Sequence, residues 1–436
     1  MTGELHNRKM KQNENKQNNK NQIIMKKHMI LVAIATLTLA SCAKIDTFET
    51  KPVLDENVPI GFTNYTPKSL TKANTTLVEN SATLTAGQKF GVYSYKTANN
   101  TAFTSAAATS ANAFMSGTVV TFQNNNNNGA NNSYSPLRYW PSGDTPDWLT
   151  FWAYYPVTDA TTTGTIDSPT NGITYTAPTG SNGVGSYSFT AAAAVENMVD
   201  FLVSDVANDK IYGTSAGDHI AVNGAVPLVF RHQLTKIRFA FKKEANVDAN
   251  TTIKLLDAKL YNVKNSGTLT TSYNAANTPN VTTDWGTSQT GAATYDVKLN
   301  ATDIAETTNE IPLSTTATAI TNGTDAFLMV PQSFVTPTFD STTGALTNAA
   351  QYLEVKWSVT TGTVTTINTK KLYFQKDVYN GDDPAASGYA ALSSHTGWEK
   401  NAYVVYTVTI GPKPIRFTAT VENWADPELN GYFNVN

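Results

Sequence analysis

Ile415-Arg416-Phe417-Thr418-Ala419-Thr420-Val421 decides the fold class. Apolar residues occupy every second position and Arg or Thr the positions between, the period of an extended strand with one face on a core and the other in water. A helix would repeat its apolar residues at spacings of three and four, and no such run of helical length follows the leader. Working outward, residues 402–410 form a second clear strand, and shorter ones fall at 371–374, 353–359, 326–330, 294–299, 199–203 and 90–95. Residues 226–241 alternate polar and apolar over a long run, and residues 253–263 do so one connector later, which predicts a β-hairpin. In residues 148–156, Leu149, Phe151, Ala153 and Tyr155 share one face and Trp148, Thr150, Trp152 and Tyr154 the other. Both faces are bulky, so a central strand is expected. The run Asn124–Asn128, with Asn131 and Asn132 after Gly129, reads as a low-complexity surface loop. Many short strands joined by polar turns mean sandwiches or barrels.

Composition agrees. The chain has 436 residues, 40% hydrophobic, 10% aromatic and only 15% charged, with net charge −3. Globular chains average about 25% charged, and here Thr, Asn, Ser and Tyr take the polar positions. A sequence pI near 6.0 argues against nucleic acid as a partner. The length allows two to three domains. Gly213 to Gly217 interrupts the strand pattern, and the boundary falls there, giving an N-terminal domain over 58–221 and a C-terminal one over 222–436.

Cys42 is the only cysteine, so neither an intramolecular disulfide nor a cysteine metal cluster can form. Before it come Lys26-Lys27-His28 and an apolar run over 29–40, too short to span a bilayer, which takes about 20 residues. A basic region, a short apolar core and small residues make a secretory signal over residues 1–41. Leu39-Ala40-Ser41-Cys42 resembles a bacterial lipobox, which implies cleavage before Cys42 and acylation there, palmitate included. Met25-Lys26-Lys27 is a more usual start than Met1. Residues 42–57 then read as a lipidated tether, anchored by about 0.8 kcal/mol per buried methylene.

Chemistry is sparse. Past the leader the histidines are His219, His232 and His395, at no zinc-ligand spacing. No phosphate loop or dinucleotide fingerprint is present. His232 reads as a strand-face residue held by hydrogen bonds, and Asp205, Asp209, Asp382 and Asp383 as turn residues. No enzyme, cofactor or metal is expected. The aromatic stretch 134–156 leaves one alternative open: a surface lipoprotein stacking glycans on Trp148 and Trp152, against the plainer reading that these rings fill a core.

The ordered set of segments resembles the fimbrillin family of lipoprotein-derived pilus subunits. The resemblance is carried by Cys42, Ile60-Gly61-Phe62, Thr71-Lys72-Ala73, Phe90-Gly91-Val92-Tyr93, Tyr139-Trp140-Pro141 and residues 151–156. It continues through residues 230–237, Val330-Pro331-Gln332, residues 398–403 and Val421-Glu422-Asn423-Trp424. It implies an all-β chain of two tandem transthyretin-like (Ig-like) β-sandwich domains, exported to the outer membrane with lipid on Cys42. A trypsin-like protease would then cut between Lys72 and Ala73. That would free a first strand bearing Val58, Ile60 and Phe62, whose alternation is itself that of a short strand. A strand from another fimbrial subunit would replace it, with Ile415, Phe417, Ala419 and Val421 as the candidate donor strand. The polymer would be a surface fimbria that adheres to a host or bacterial receptor.

Overall fold

A computed structural model describes residues 58–64, 81–82, 84–123, 132–159, 164–178, 183–213, 219–277, 279–297, 310–319, 326–376, 378–379, 396–411 and 415–423. Among them are strands and a few single-turn 3-10 helices, and no α-helix. The excess of Thr, Tyr, Val and Phe over strong helix formers favours this outcome. All the strands belong to one unit, Leu54–Asn436.

The first half contributes β1 (Gly61–Asn64), β2 (Ser81–Ala82), β3 (Lys89–Thr97), β4 (Ala113–Thr121), β5 (Trp148–Tyr155), β6 (Ile173–Thr176), β7 (Ser186–Thr190), β8 (Leu202–Ser204), β9 (Ala207–Gly213), β10 (Ile220–Val222), β11 (Ala225–Leu228) and β12 (Phe230–His232). β5 is central, as its two bulky faces predict. It pairs with β3 along one edge and with β8 and β9 along the other, and β4 extends the sheet beyond β3. β1 stands apart from this sheet and pairs in parallel with β11, Gly61 opposite Ala225 through Asn64 opposite Leu228.

The second half contributes β13 (Thr235–Lys243), β14 (Thr251–Val263), β15 (Ser266–Tyr273), β16 (Val281–Asp284), β17 (Ala293–Asp296), β18 (Ile311–Pro312), β19 (Thr318–Ala319), β20 (Phe327–Met329), β21 (Gln332–Ser333), β22 (Tyr352–Thr361), β23 (Val364–Tyr373), β24 (Val378–Tyr379), β25 (Gly397–Trp398), β26 (Ala402–Ile410) and β27 (Arg416–Asn423). One sheet runs β19-β13-β26-β27-β24 and the other β17-β14-β22-β23. Ile237, Phe239 and Phe241 of β13 meet Ile253, Leu255 and Leu260 of β14 in the core between them.

The predicted hairpin is not formed. β13 and β14 lie in different sheets and face each other across a core. Alternation identifies the buried face of a strand, not its hydrogen-bonded neighbour. The run 226–241 also divides into β11, β12 and β13, which pair with three different sets of partners. Among the described residues β11 and β12, both past residue 221, pair with β1, β2 and β8. β15 likewise leaves the sheet of β14 to pair with β7, building the sheet β16-β15-β7-β6.

Candidate functional site: a groove closed by the first strand

β1 and the residues just before it lie between two edges. On one edge the Gly61 N–H donates to the Gly224 carbonyl at 2.8 Å and the parallel ladder to β11 follows. On the other the Ile60 N–H donates to the Arg138 carbonyl at 2.9 Å, and the Trp140 N–H donates to the Val58 carbonyl at 3.0 Å. Two side chains add to this second edge. The Tyr134 hydroxyl donates to the Ile60 carbonyl at 2.9 Å, and the Asn132 amide donates to the Phe62 carbonyl. Asn132 is itself oriented by the Gln123 N–H, which donates to its Oδ1 at 2.7 Å.

Alternation sends Ile60 and Phe62 inward, 2% and 1% exposed, with Val58 half-buried against the same cluster. Phe62 enters a socket of three rings, edge-on to Phe90 at 6.1 Å, Tyr134 at 5.9 Å and Phe151 at 6.0 Å. Each such side chain contributes about 1.5–3 kcal/mol on burial. At Gly224, φ is +79°, and a Cβ there would sit 3.0–3.1 Å from the Pro59 carbonyl oxygen, Trp140 Nε1 and a Val58 methyl. The glycine is what lets the chain turn this close to the first strand while its carbonyl accepts from Gly61 and from Trp140 Nε1. Burial pushes the Tyr134 phenol up to about 12. Removal of β1 would leave an apolar slot flanked by two rows of backbone groups, the shape that an added strand fills.

The other residues singled out from sequence are placed as follows. Cys42, Lys72 and Ala73 lie outside the described residues, as do Asp382, Asp383 and His395. Ile415 and Phe417 are buried in the core of the second half, where Phe417 stacks on Tyr406 at 4.9 Å and meets Phe374 edge-on at 5.4 Å. Ala419 is half-buried and Val421 is 57% exposed. β27 is thus hydrogen-bonded into its own sheet, between β26 and β24. Pro414-Ile415-Arg416-Phe417-Thr418 nevertheless repeats Pro59-Ile60-Gly61-Phe62-Thr63 at four of five positions.

The aromatic stretch is core rather than platform. Trp152 is fully buried and stacks on Tyr95 at 5.1 Å, while Trp148 is half-buried against the His219 ring at 4.4 Å. Tyr134, Trp140, Phe151 and Tyr154 are buried as well. Trp152 has no face to offer a sugar, so the paired glycan platform is not formed. His232 is buried on β12 with Nδ1 2.8 Å from Asp200 Oδ2, a strand-face partner as expected. Asp205 is paired with Arg231 at 2.8 Å. Among the described residues no cluster of His, Cys, Asp and Glu could hold a metal ion, and no helix is long and apolar enough to cross a membrane.

The inward alternation of Val58, Ile60 and Phe62 is legible in their spacing, but the groups that hold them are not. Asn132, in a run that reads as a surface loop, is 5% exposed. Nothing in an Asn-rich run marks the one member that turns inward. Gly224 carried a readable signal, since Asn223-Gly224 is a turn dipeptide.

An apolar groove closed by the chain's own first strand, in an all-β chain, is a surface that takes extended chain. The chain belongs to the fimbrillin-like family, whose profile matches residues 71–424. That is a family of fimbrial structural subunits, not of enzymes. The chain is 24% identical over 412 residues to the fimbrium subunit Fim1C of Phocaeicola vulgatus, covering 91% of this chain and 96% of that one. Its fold is similar to that of a fimbrial protein from Bacteroides vulgatus known from its crystal structure. That match has a TM-score of 0.52 and 18% identity, over 84% of this chain and 99% of the other.

Proposed function

We propose that this chain is exported as a lipoprotein, acylated on Cys42 at the outer membrane, and built into a surface fimbria by donor-strand exchange. The observation that carries the reading is β1 itself. A single strand, placed ahead of a segment containing Lys72, fills a socket with Ile60 and Phe62 and is held along both edges. Cleavage between Lys72 and Ala73 would separate it from the rest of the chain, lipid included. The slot then takes a strand from another subunit, pairing main chain to main chain with alternate side chains in the pockets. Such donor–acceptor contacts do not close on themselves and so build a filament.

A donor of this groove needs an Ile-x-Phe pattern, and the C-terminal stretch over Ile415, Phe417, Ala419 and Val421 carries it. Ile415 and Phe417 already fill a core of their own, so donation requires β27 to leave β26. Adhesion to a host or bacterial surface receptor follows from display on a filament.

Treatment with a Lys-specific protease tests the proposal. The expected result is a new N-terminus at Ala73 and SDS-resistant ladders. A treated chain that stays monomeric and takes up neither a peptide of residues 56–64 nor one of residues 413–421 would overturn it.

A further inference from the structure

We infer that Asn132 and Tyr134 read the main chain of whatever strand occupies the groove, and so fix the polarity of the donor. The inference rests on the strand-exchange reading above. Most bonds that hold β1 run backbone to backbone, but these two do not. Tyr134 donates to the Ile60 carbonyl and Asn132 to the Phe62 carbonyl, two residues apart, the repeat of an extended chain. Both acceptors belong to the residues whose side chains fill the sockets. Both donors are held from behind. The Asn132 amide is fixed by the Gln123 N–H, and the Tyr134 hydroxyl accepts from the Arg138 N–H at 3.4 Å while its ring lies against Phe62.

A carbonyl is the same in every residue, so these donors are indifferent to the sequence of the strand. They are sensitive to its direction. In an extended strand the N–H and C=O of one residue point to the same edge. Turning the strand end for end, with its apolar side chains kept in the sockets, carries the carbonyls of the socket-filling residues to the β11 edge. Asn132 and Tyr134 then lose the two acceptors they meet in β1, Tyr134 keeping only its longer contact to the Arg138 carbonyl at 3.2 Å, and the loss of hydrogen bonds from buried donors is disfavoured. A slip of one residue is refused by the sockets instead, because it turns Ile60 and Phe62 outward. Sockets and side-chain donors together admit a strand parallel to β11 in one register.

The test uses the full chain, cut within residues 65–80, and fluorescent peptides of residues 56–64 in which one amide is replaced by a thioamide, a poorer acceptor. A thioamide at the Ile60 carbonyl is expected to weaken binding about fivefold to the native chain and to make no difference to Tyr134→Phe. A thioamide at the Phe62 carbonyl should behave in the same way against Asn132→Ala. One at the Gly61 carbonyl, on the β11 edge, should weaken binding equally in all three chains. The two side-chain arms are independent, so one variant failing to fold leaves the other decisive. Equal losses in native and variant chains overturn the inference. Failure of the unmodified peptide to bind the native chain overturns strand exchange itself, and this assignment with it.

Discussion

Tyr134 joins a titratable group to the contact that holds the first strand. Its phenol is raised to about 12 by burial, against an ordinary value of 10.0. A group whose folded value is raised stabilises the fold fully below its unfolded value and loses that contribution as pH climbs through the folded one. The window is therefore pH 10 to about 12, where the phenolate can no longer donate to Ile60. Hydrogen exchange at the Ile60 and Gly61 amides should rise across that window in the native chain. In Tyr134→Phe it should already be raised at pH 8 and show no step attributable to this residue. Phe62 belongs to the same scale. Phe62→Ala empties the socket of Phe90, Tyr134 and Phe151 and should cost about 3–5 kcal/mol, measured as a shift in the urea midpoint at constant m. Val58, Ile60 and Phe62 were legible because period two is written in their spacing. Asn132 and Tyr134 were not, because a side chain that bonds to a carbonyl follows no periodicity.

The strands themselves separate what sequence records from what it omits. β27 was plain because it alternates without interruption, and β26 because it is a long run of Val, Tyr and Thr. The three-way division of residues 226–241 was concealed by alternation that runs on through Val226, Leu228, Phe230 and His232 across a change of sheet. One trace of it is present. Buried apolar side chains are even-numbered from Val226 through Leu234, then odd at Ile237, Phe239 and Phe241, a phase slip that a single strand would not show. The hairpin expected of β13 and β14 failed for a related reason, since two strands that share a core need not share a bond. At the turn before β11, Gly224→Ala forces a side chain into a left-handed conformation beside Pro59, Val58 and Trp140. The expected outcome is release of the first strand at a lower urea concentration than global unfolding, read by hydrogen exchange at the Gly61 amide.

Across the whole molecule, β15 is the piece that ties the halves. It continues from β14 in one core and then pairs with β7 of the other half, while Leu234, Val330 and Tyr403 pack in the same cluster as Tyr187 and Phe201. β11 and β12 similarly pair backward past residue 221. A division at 221/222, natural from the glycine-rich break in the sequence, would strip β15 of β7 and leave β1 without β11. Expressed alone, residues 222–436 should be aggregated or show no cooperative thermal transition by calorimetry. The full chain should unfold in one transition.

The bonds that hold β1 all lie across the strand. A pull along its length therefore loads the ladder to β11, the contacts at Arg138 and Trp140 and the two side-chain donors together, in shear. On the strand-exchange proposal, a competing strand entering from one end would replace them one after another, each broken bond being remade before the next is lost. The same groove would thus be strong against tension and yielding to exchange, and a filament joined through it would resist being drawn apart even though its joints had formed by gradual substitution.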